Sequence, residues 1–279
     1  MIFVYKKWEK ICAELANKNI YSVTASSVVL QKTKSKYIVL KHDVETNVDK
    51  AFKMAEIEKK YGHKGSYYVQ AYLMEDKKNI KMLKEMSEMG HEISYHYDVL
   101  DACKGDMELA IKEYEKNLKL FEENGLKIVT VCQHGNPVVE RVGYNSNRDF
   151  FRNSRVQELY PNVSDIMVNF PTKADTEYLY FSDAGRKFNL IYDPINNDVV
   201  KSDDKNIPFL KIEELLEYIV KSNKACIIST HPHRWTSSLI EYVCKDVFFK
   251  VVKKTAKLLL HIPFMKKIMS KYYYLAKKI

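Results

Sequence analysis

Four times in this chain a short apolar run gives way to a polar cluster that carries histidine. Tyr37-Ile38-Val39-Leu40 leads into Lys41-His42-Asp43-Val44-Glu45, and His91-Glu92-Ile93-Ser94 into Tyr95-His96-Tyr97-Asp98. Ile128-Val129-Thr130-Val131-Cys132 leads into Gln133-His134-Gly135-Asn136-Pro137, and Cys226-Ile227-Ile228-Ser229-Thr230 into His231-Pro232-His233-Arg234-Trp235. A strand of a parallel sheet, buried on both faces, reads as such a run. In α/β barrels and open α/β sheets, ligands and chemistry gather at the carboxyl ends of the strands. Five of the eight histidines (His42, His96, His134, His231 and His233) follow their strand in this way. That pattern predicts one shared site assembled from four strand ends.

The segments between the clusters alternate. Strands are expected at 37–41, 65–70, 91–95 and 128–132, and helices at 48–61, 77–89 and 106–124. Gly62, Gly90 and Gly125 stand at the three helix ends, where glycine takes the left-handed conformation without steric cost. Strand and helix alternating at this spacing imply βαβ units and a parallel sheet. An amphipathic helix is expected over 3–18, and Val28-Val29-Leu30 reads as a short strand. Residues 136–177 break the rhythm with Asn, Arg, Asp and Pro, as a long strand-end excursion does. Short strands near 178–181 and 188–192, a helix at 211–222 and the strand 225–230 complete the body.

At 279 residues the chain can form one large α/β domain. Its five cysteines are scattered, odd in number and without a CxxC pair, which suits free thiols in a reducing compartment. The N-terminus has neither the charged and apolar regions nor the cleavage site of a signal peptide, and no stretch approaches a transmembrane length. These features lead us to expect a cytoplasmic protein. The net charge is +9, and residues 245–279 alone hold ten lysines against one acid, Asp246, so the body is neutral. This asymmetry points to a polyanionic partner.

The motifs HDVE at 42–45, GHEISYHYD at 90–98, HGNP at 134–137, SDAGR at 182–186 and STHPHRW at 229–235 occur in order, four of them on the strand-end clusters. Together they resemble the polysaccharide deacetylase (NodB-like, carbohydrate esterase) superfamily, including a branch found in surface-polysaccharide gene clusters, over roughly residues 37–236. The resemblance implies a distorted (β/α) barrel with fewer than eight regular units. It also implies metal-assisted removal of an acetyl group, with a divalent metal, zinc first, polarising the carbonyl and acidifying a water. Asp43 matches the family's catalytic base and Glu45 its acidic metal ligand. Two residues apart on a strand end, their side chains share a face, although Asp43 could instead cap the next helix. His96 matches the first metal histidine, but the second, four residues on, is replaced by Leu100. A catalytic zinc keeps three protein ligands, so His134 is the candidate third, with Asp98 in reserve. His134 could alternatively orient substrate or Asp43.

His231 matches the family's general acid, a role that suits an imidazole titrating near neutrality. For substrate binding the candidates are His42, Asn136, Asp183, Arg234 and Trp235. Arg234 would grip an oxyanion, carboxylate or phosphate, and Trp235 would stack on a sugar or sit buried at the rim. Asp183 would orient His231 or bind a hydroxyl. His91 reads as structural and His63 as a surface residue at the opposite end of the barrel.

In the tail, Lys250, Lys253, Lys254 and Lys257 fall within about a 100° wedge of a helix, opposite Phe248, Val251, Val252, Leu258, Leu259 and Ile262. Pro263 interrupts the pattern, which then resumes to Ile279. A lysine-faced helix of this kind suits an anionic membrane surface, so residues 247–279 are expected to pack on the barrel or on the inner face of a membrane. Nucleic acid is not expected, since the tail lacks arginine and the chain has no recognisable nucleic-acid module. The expectation is therefore a deacetylase-like barrel over 1–244 with a basic amphipathic helical tail over 245–279. It would hydrolyse an acetylated sugar or surface-glycan precursor. The loss of a histidine at Leu100 keeps open a metal-free barrel that binds glycan without hydrolysing it.

Overall fold

A computed structural model describes residues 1–31, 36–136, 139–170, 177–195 and 205–259. Helices α1 (Tyr5–Asn17) and α2 (Ala25–Gln31) precede strand β1 (Ile38–Val44). The alternation then follows the expected order: α3 (Val48–Lys60), β2 (Gly65–Val69), α4 (Lys77–Glu88), β3 (Glu92–Tyr97), a single turn α5 (Val99–Ala102), α6 (Met107–Glu123) and β4 (Thr130–Gln133). The expected excursion holds short helices α7 (Arg148–Arg152) and α8 (Ser154–Leu159) and the two-residue strand β5 (Ser164–Asp165). Strands β6 (Tyr178–Ser182), β7 (Phe188–Leu190) and β8 (Ile207–Phe209) follow, then α9 (Ile212–Lys221), β9 (Ala225–Thr230) and α10 (Leu239–Leu259).

The nine strands form one sheet in the order β5-β4-β3-β2-β1-β9-β6-β7-β8. Seven run parallel from β5 to β6, and β7 and β8 are antiparallel additions. The chain is thus a mixed α/β fold with a mostly parallel sheet. Of the expected distorted (β/α) barrel, the described residues show the mostly parallel sheet but no ladder joining β5 to β8.

Register decides which side chains meet. Lys41 lies opposite Ser66 on β2 and Ser229 on β9, and Asp43 opposite Tyr68. The pleat alternates with period two, so Val39, Lys41 and Asp43 share a face with Tyr68, Cys132, Tyr180 and Ile227. That face packs on α2 and on Ile166, Met167 and Phe170. Ile38, Leu40, His42 and Val44 point the other way. There Ile38 and Leu40 pack against Trp8, Ile11 and Leu15 of α1 and Met54 and Ile57 of α3.

Three expectations need correction. Val28-Val29-Leu30 is helical, within α2. A three-residue apolar run does not discriminate strand from helix, and here the helix start is capped on all sides. Ser66 Oγ accepts from Ala25 N (2.9 Å), Glu92 Oε2 from Ser26 N (3.0 Å) and Thr24 Oγ1 from Ser27 N (3.2 Å). His63 is buried, not a surface residue. Its Nδ1 accepts from Ser22 N (3.1 Å) and its Nε2 lies 2.9 Å from the Cys12 carbonyl, tying the turn before β2 to α1. Finally, the C-terminal helix begins at Leu239, so it runs across the expected boundary at 244. The part of the predicted tail from 260 to 279 lies outside the described residues.

Candidate active site

The polar clusters at the ends of β1, β3, β4 and β9 converge. β1 ends at Val44, and Glu45 lies in the bend that follows, still buried. Asn47, with φ 53 and ψ 65, turns the chain into α3, and its side chain makes no capping bond. Asparagine tolerates this left-handed conformation. Asp43 does not cap that helix. Both its oxygens instead receive the buried ammonium of Lys41, at 2.5 and 2.6 Å. Lys41 also reaches Ser229 Oγ (3.2 Å) and lies 5.7 Å from the centre of the Tyr68 ring. Burial alone would raise the Asp43 carboxyl, but Lys41, then His96 and His231, outweigh it and hold the group below the ordinary carboxylate range.

Beside Asp43 stand Glu45, His96 and His134, all buried, with one donor atom of each within 4.8 Å of the others. His134 Nδ1 is 3.2 Å from Glu45 Oε1 and 3.2 Å from His96 Nε2. His96 Nδ1 donates to the Cys132 carbonyl (3.0 Å), because a carbonyl only accepts. The lone pair on His96 Nε2 therefore faces the cluster, and burial pushes this imidazole's pKa down to about 3. Two histidines and a carboxylate, with one ring oriented by a backbone carbonyl, are a donor set that fits a catalytic zinc or a similar divalent ion with a coordination position left open. Asp43, His96 and Cys132 form a second buried donor group, sharing His96 with the first. Asp98, the reserve ligand, is half-buried at the start of α5 and belongs to neither group.

On the opposite side of Asp43 is His231, whose Nε2 is 3.8 Å from Asp43 Oδ2. Its Nδ1 lies 2.5 Å from Asp183 Oδ1, and its backbone N–H donates to Asp183 Oδ2 (3.0 Å). Arg234 Nη1 donates to the Asp183 carbonyl (2.8 Å) and to Oδ1 (3.1 Å), and Trp235 Nε1 donates to Oδ2 (3.2 Å). Burial would raise the Asp183 carboxyl, but His231, Arg234 and these hydrogen bonds overcome it, leaving a pKa of about 2. His233, the next histidine along, is half-buried with its Nδ1 enclosed and unbonded, and burial pushes it down to about 3.

The substrate-binding candidates divide. Asp183 is fully buried, with His231, Arg234 and Trp235 all on its carboxylate, the arrangement that the orienting alternative calls for. Trp235 is fully buried between Phe3 and Trp8, at ring distances of 5.2 and 5.3 Å, and offers no stacking face. His42 is fully buried on the opposite face of the sheet. It is stacked on Tyr67 (4.3 Å), with Nδ1 2.6 Å from Thr230 Oγ1 and Nε2 2.8 Å from Glu58 Oε1. Arg234 and Asn136 remain half-buried near the site, the carbonyl of Asn136 accepting from Arg141 (2.9 Å). Leu100, in the position expected for the missing histidine, is built into the apolar core.

Sequence reading missed two sets of supporting residues. Lys41 opens the first polar cluster and is given no role in the sequence reading, yet the period of two that pairs Asp43 with Glu45 also pairs Asp43 with Lys41. The other set holds the His134 segment. Asn147 donates to the His134 carbonyl (2.9 Å) and to Asp101 Oδ2 (2.9 Å), and its Oδ1 accepts from Asp101 N (3.0 Å). Arg141 grips Asp101 with two bonds of 2.8 Å. Arg141 and Asn147 belong to the irregular stretch, which has no periodicity from which to predict them.

No protein-family model matches the chain, and no curated protein matches it. Among solved structures it is similar to a CE4 family pseudoenzyme from Bacillus anthracis, at 13% identity and a TM-score of 0.40. The match covers 80% of this chain, which spans only 62% of that one. A mutant described as that pseudoenzyme with restored enzymatic activity matches at 14% identity and a TM-score of 0.41, over 80% and 64% of the two chains. A mutant of the peptidoglycan deacetylase PdaC from Bacillus subtilis matches at 12% identity and 0.35, over 79% and 97%.

Proposed function

We propose that this protein is a metal-dependent hydrolase that removes an acetyl group from an acylated sugar or glycan precursor. The observation that carries the reading is the meeting of Glu45, His96 and His134 beside Asp43, with His231 on the other side. Glu45, His96 and His134 would hold the ion, which when bound polarises the acyl carbonyl and acidifies a water. Asp43, kept ionised by Lys41, takes the proton of the attacking water. As the water oxygen bonds to the carbonyl carbon, the bond to the sugar nitrogen or oxygen breaks. His231 delivers a proton to that leaving atom from Nε2, since Asp183 engages its Nδ1. Arg234 and Asn136 border the site and are the residues proposed to contact the glycan.

The test is release of acetate from N-acetylhexosamine oligomers and O-acetylated sugars by protein loaded with zinc, cobalt or nickel. Asp43→Asn and His231→Gln should each lower turnover by about 10²- to 10⁴-fold. Parent and Asp43→Asn proteins that are equally inert on every glycan would sink the proposal.

A second reading has its own support: Asp43 is already ion-paired with Lys41, and the position of the missing histidine is filled by the core residue Leu100. In that reading the face binds glycan without hydrolysing it. Metal content of purified protein separates the two, because a stoichiometric ion that disappears in His96→Ala excludes the metal-free alternative.

A further inference from the structure

Over residues 239–248, helix α10 carries its polarity the wrong way round for a helix packed on a folded body. The residues it turns toward the body are Glu241, Tyr242, Lys245 and Asp246. Tyr242 meets Phe3 edge-on at 6.2 Å, Glu241 lies 3.9 Å from Lys50 and 3.1 Å from Lys245, and Asp246 lies 3.8 Å from Arg186. The residues it turns outward are Leu239, Ile240, Val243, Cys244, Val247 and Phe248, every one exposed. Ile240 is 78% exposed and Val247 54%. An ordinary surface helix buries its apolar stripe and leaves its charges in water, and a contiguous apolar face left outside marks an interaction surface.

Charge selects the occupant. The 35 residues from 245 to 279 hold ten lysines and a single acid, and that acid, Asp246, is turned inward beside Arg186. The apolar face at 239–248 leads, in the same helix, into Lys250, Lys253, Lys254 and Lys257, and an apolar face followed by such positive charge is complementary to a bilayer surface with anionic headgroups. The acyl boundary takes the apolar side chains and the headgroups take the lysines. Among the described residues no helix is long and apolar enough to cross a membrane, so the contact would be in the plane of the surface. We propose that α10 docks the protein on an anionic membrane through Ile240, Val243, Val247 and Phe248.

The experiment uses the full chain and sedimentation with two kinds of vesicle: phosphatidylcholine alone, and phosphatidylcholine mixed with phosphatidylglycerol. The parent should partition at least about tenfold more strongly to the anionic vesicles, since each basic residue near such a surface strengthens binding several-fold, and salt should weaken it. Substituting Ile240, Val243, Val247 and Phe248 together by Gln should cut partition about tenfold or more. The thermal melt should be unchanged, because these side chains are exposed. Replacing Lys250, Lys253, Lys254 and Lys257 by Gln should remove the preference for anionic lipid. Equal partition of the parent to both vesicles would overturn the proposal, as would a four-Gln apolar variant that binds like the parent. A parent that is dimeric without lipid and becomes monomeric in that variant would assign the face to a second copy and also overturn it.

Discussion

Strand β1 carries two buried clusters of carboxylate and histidine, one on each face, and they differ in what their atoms are turned toward. On one face Lys41 and Asp43 lead to Glu45, His96, His134 and His231. On the other His42 reaches Glu58, whose carboxylate also receives Trp8 Nε1 (3.0 Å) and Tyr67 OH (2.8 Å) and lies 3.6 Å from His91 Nδ1. The Glu58 cluster is closed by the protein itself. His91 accepts from Gly65 N (2.9 Å), and its Nε2 lies 3.1 Å from the Ala55 carbonyl. A Cβ at Gly65 would come within 2.5 Å of Glu58 Oε2, so a side chain there would have to displace the carboxylate. In the other cluster the donor atoms of Glu45, His96 and His134 converge on one another. Adjacent residues of one strand thus end in opposite roles: His42 in a core that joins helix to sheet, Asp43 in the proposed chemistry.

The strongest way to break this comparison is to remove Glu58. Burial would raise its carboxyl, but His42, then His91 and Tyr67, outweigh that and keep it below the usual range. Taking away one partner of a buried charged group leaves the others uncompensated, at a cost of about 3–5 kcal/mol. Glu58→Ala should therefore lower unfolding stability in urea by about that amount while leaving the metal affinity of the folded fraction unchanged. If affinity fell in step with stability, the two faces would act as one unit and the distinction would fail.

Smaller in effect is the support of His134. Asn147 touches its carbonyl and not its ring, so Asn147→Ala should weaken metal binding by about tenfold, the low end for residues that brace ligands. Competition with a chelating dye would measure it. A variant with parental affinity would show that the Tyr97 carbonyl, which accepts from His134 N at 2.7 Å, suffices to hold the segment.

How much of this could be read from the sequence follows from the period of each element. The parallel order of the strands, and the strand ends from which Asp43, Glu45, His96, His134 and His231 come, were legible because apolar runs and glycine stops mark them. The face on which His42 falls was legible in principle, since it alternates with Asp43, but its placement at a strand end outweighed that parity in the reading. For Trp235 and Asp183 the sequence leaves two readings each, a sugar-stacking or a buried rim indole, and a carboxylate that orients His231 or binds a hydroxyl. Only tertiary packing, with Phe3 and Trp8 around the indole and His231 and Arg234 on the carboxylate, buries them. The Asp101–Asn147 brace had no signal at all, because its partners are 46 residues apart and Asn147 lies in an aperiodic stretch.

Acid sharpens the comparison with the smallest expected effect. Burial holds the His91 imidazole below its ordinary value of 6.5, despite the pull of Glu58. The unfolded chain therefore binds this proton first, so stability is full above about pH 6.5 and falls as the pH drops toward the folded value. Glu58, held below 4.5, acts in the same direction in a lower window: its contribution is present above about pH 4.5 and is lost as the pH falls through the folded value. In metal-free protein each group contributes a slope of at most about 1.4 kcal/mol per pH unit within its own window. Urea midpoints measured from pH 7 to 4 should fall, and His91→Gln should flatten the upper part of that decline. An unchanged slope in that variant would mean that the acid sensitivity arises on the other face, among His96 and its neighbours, and that the closed cluster is indifferent to protons.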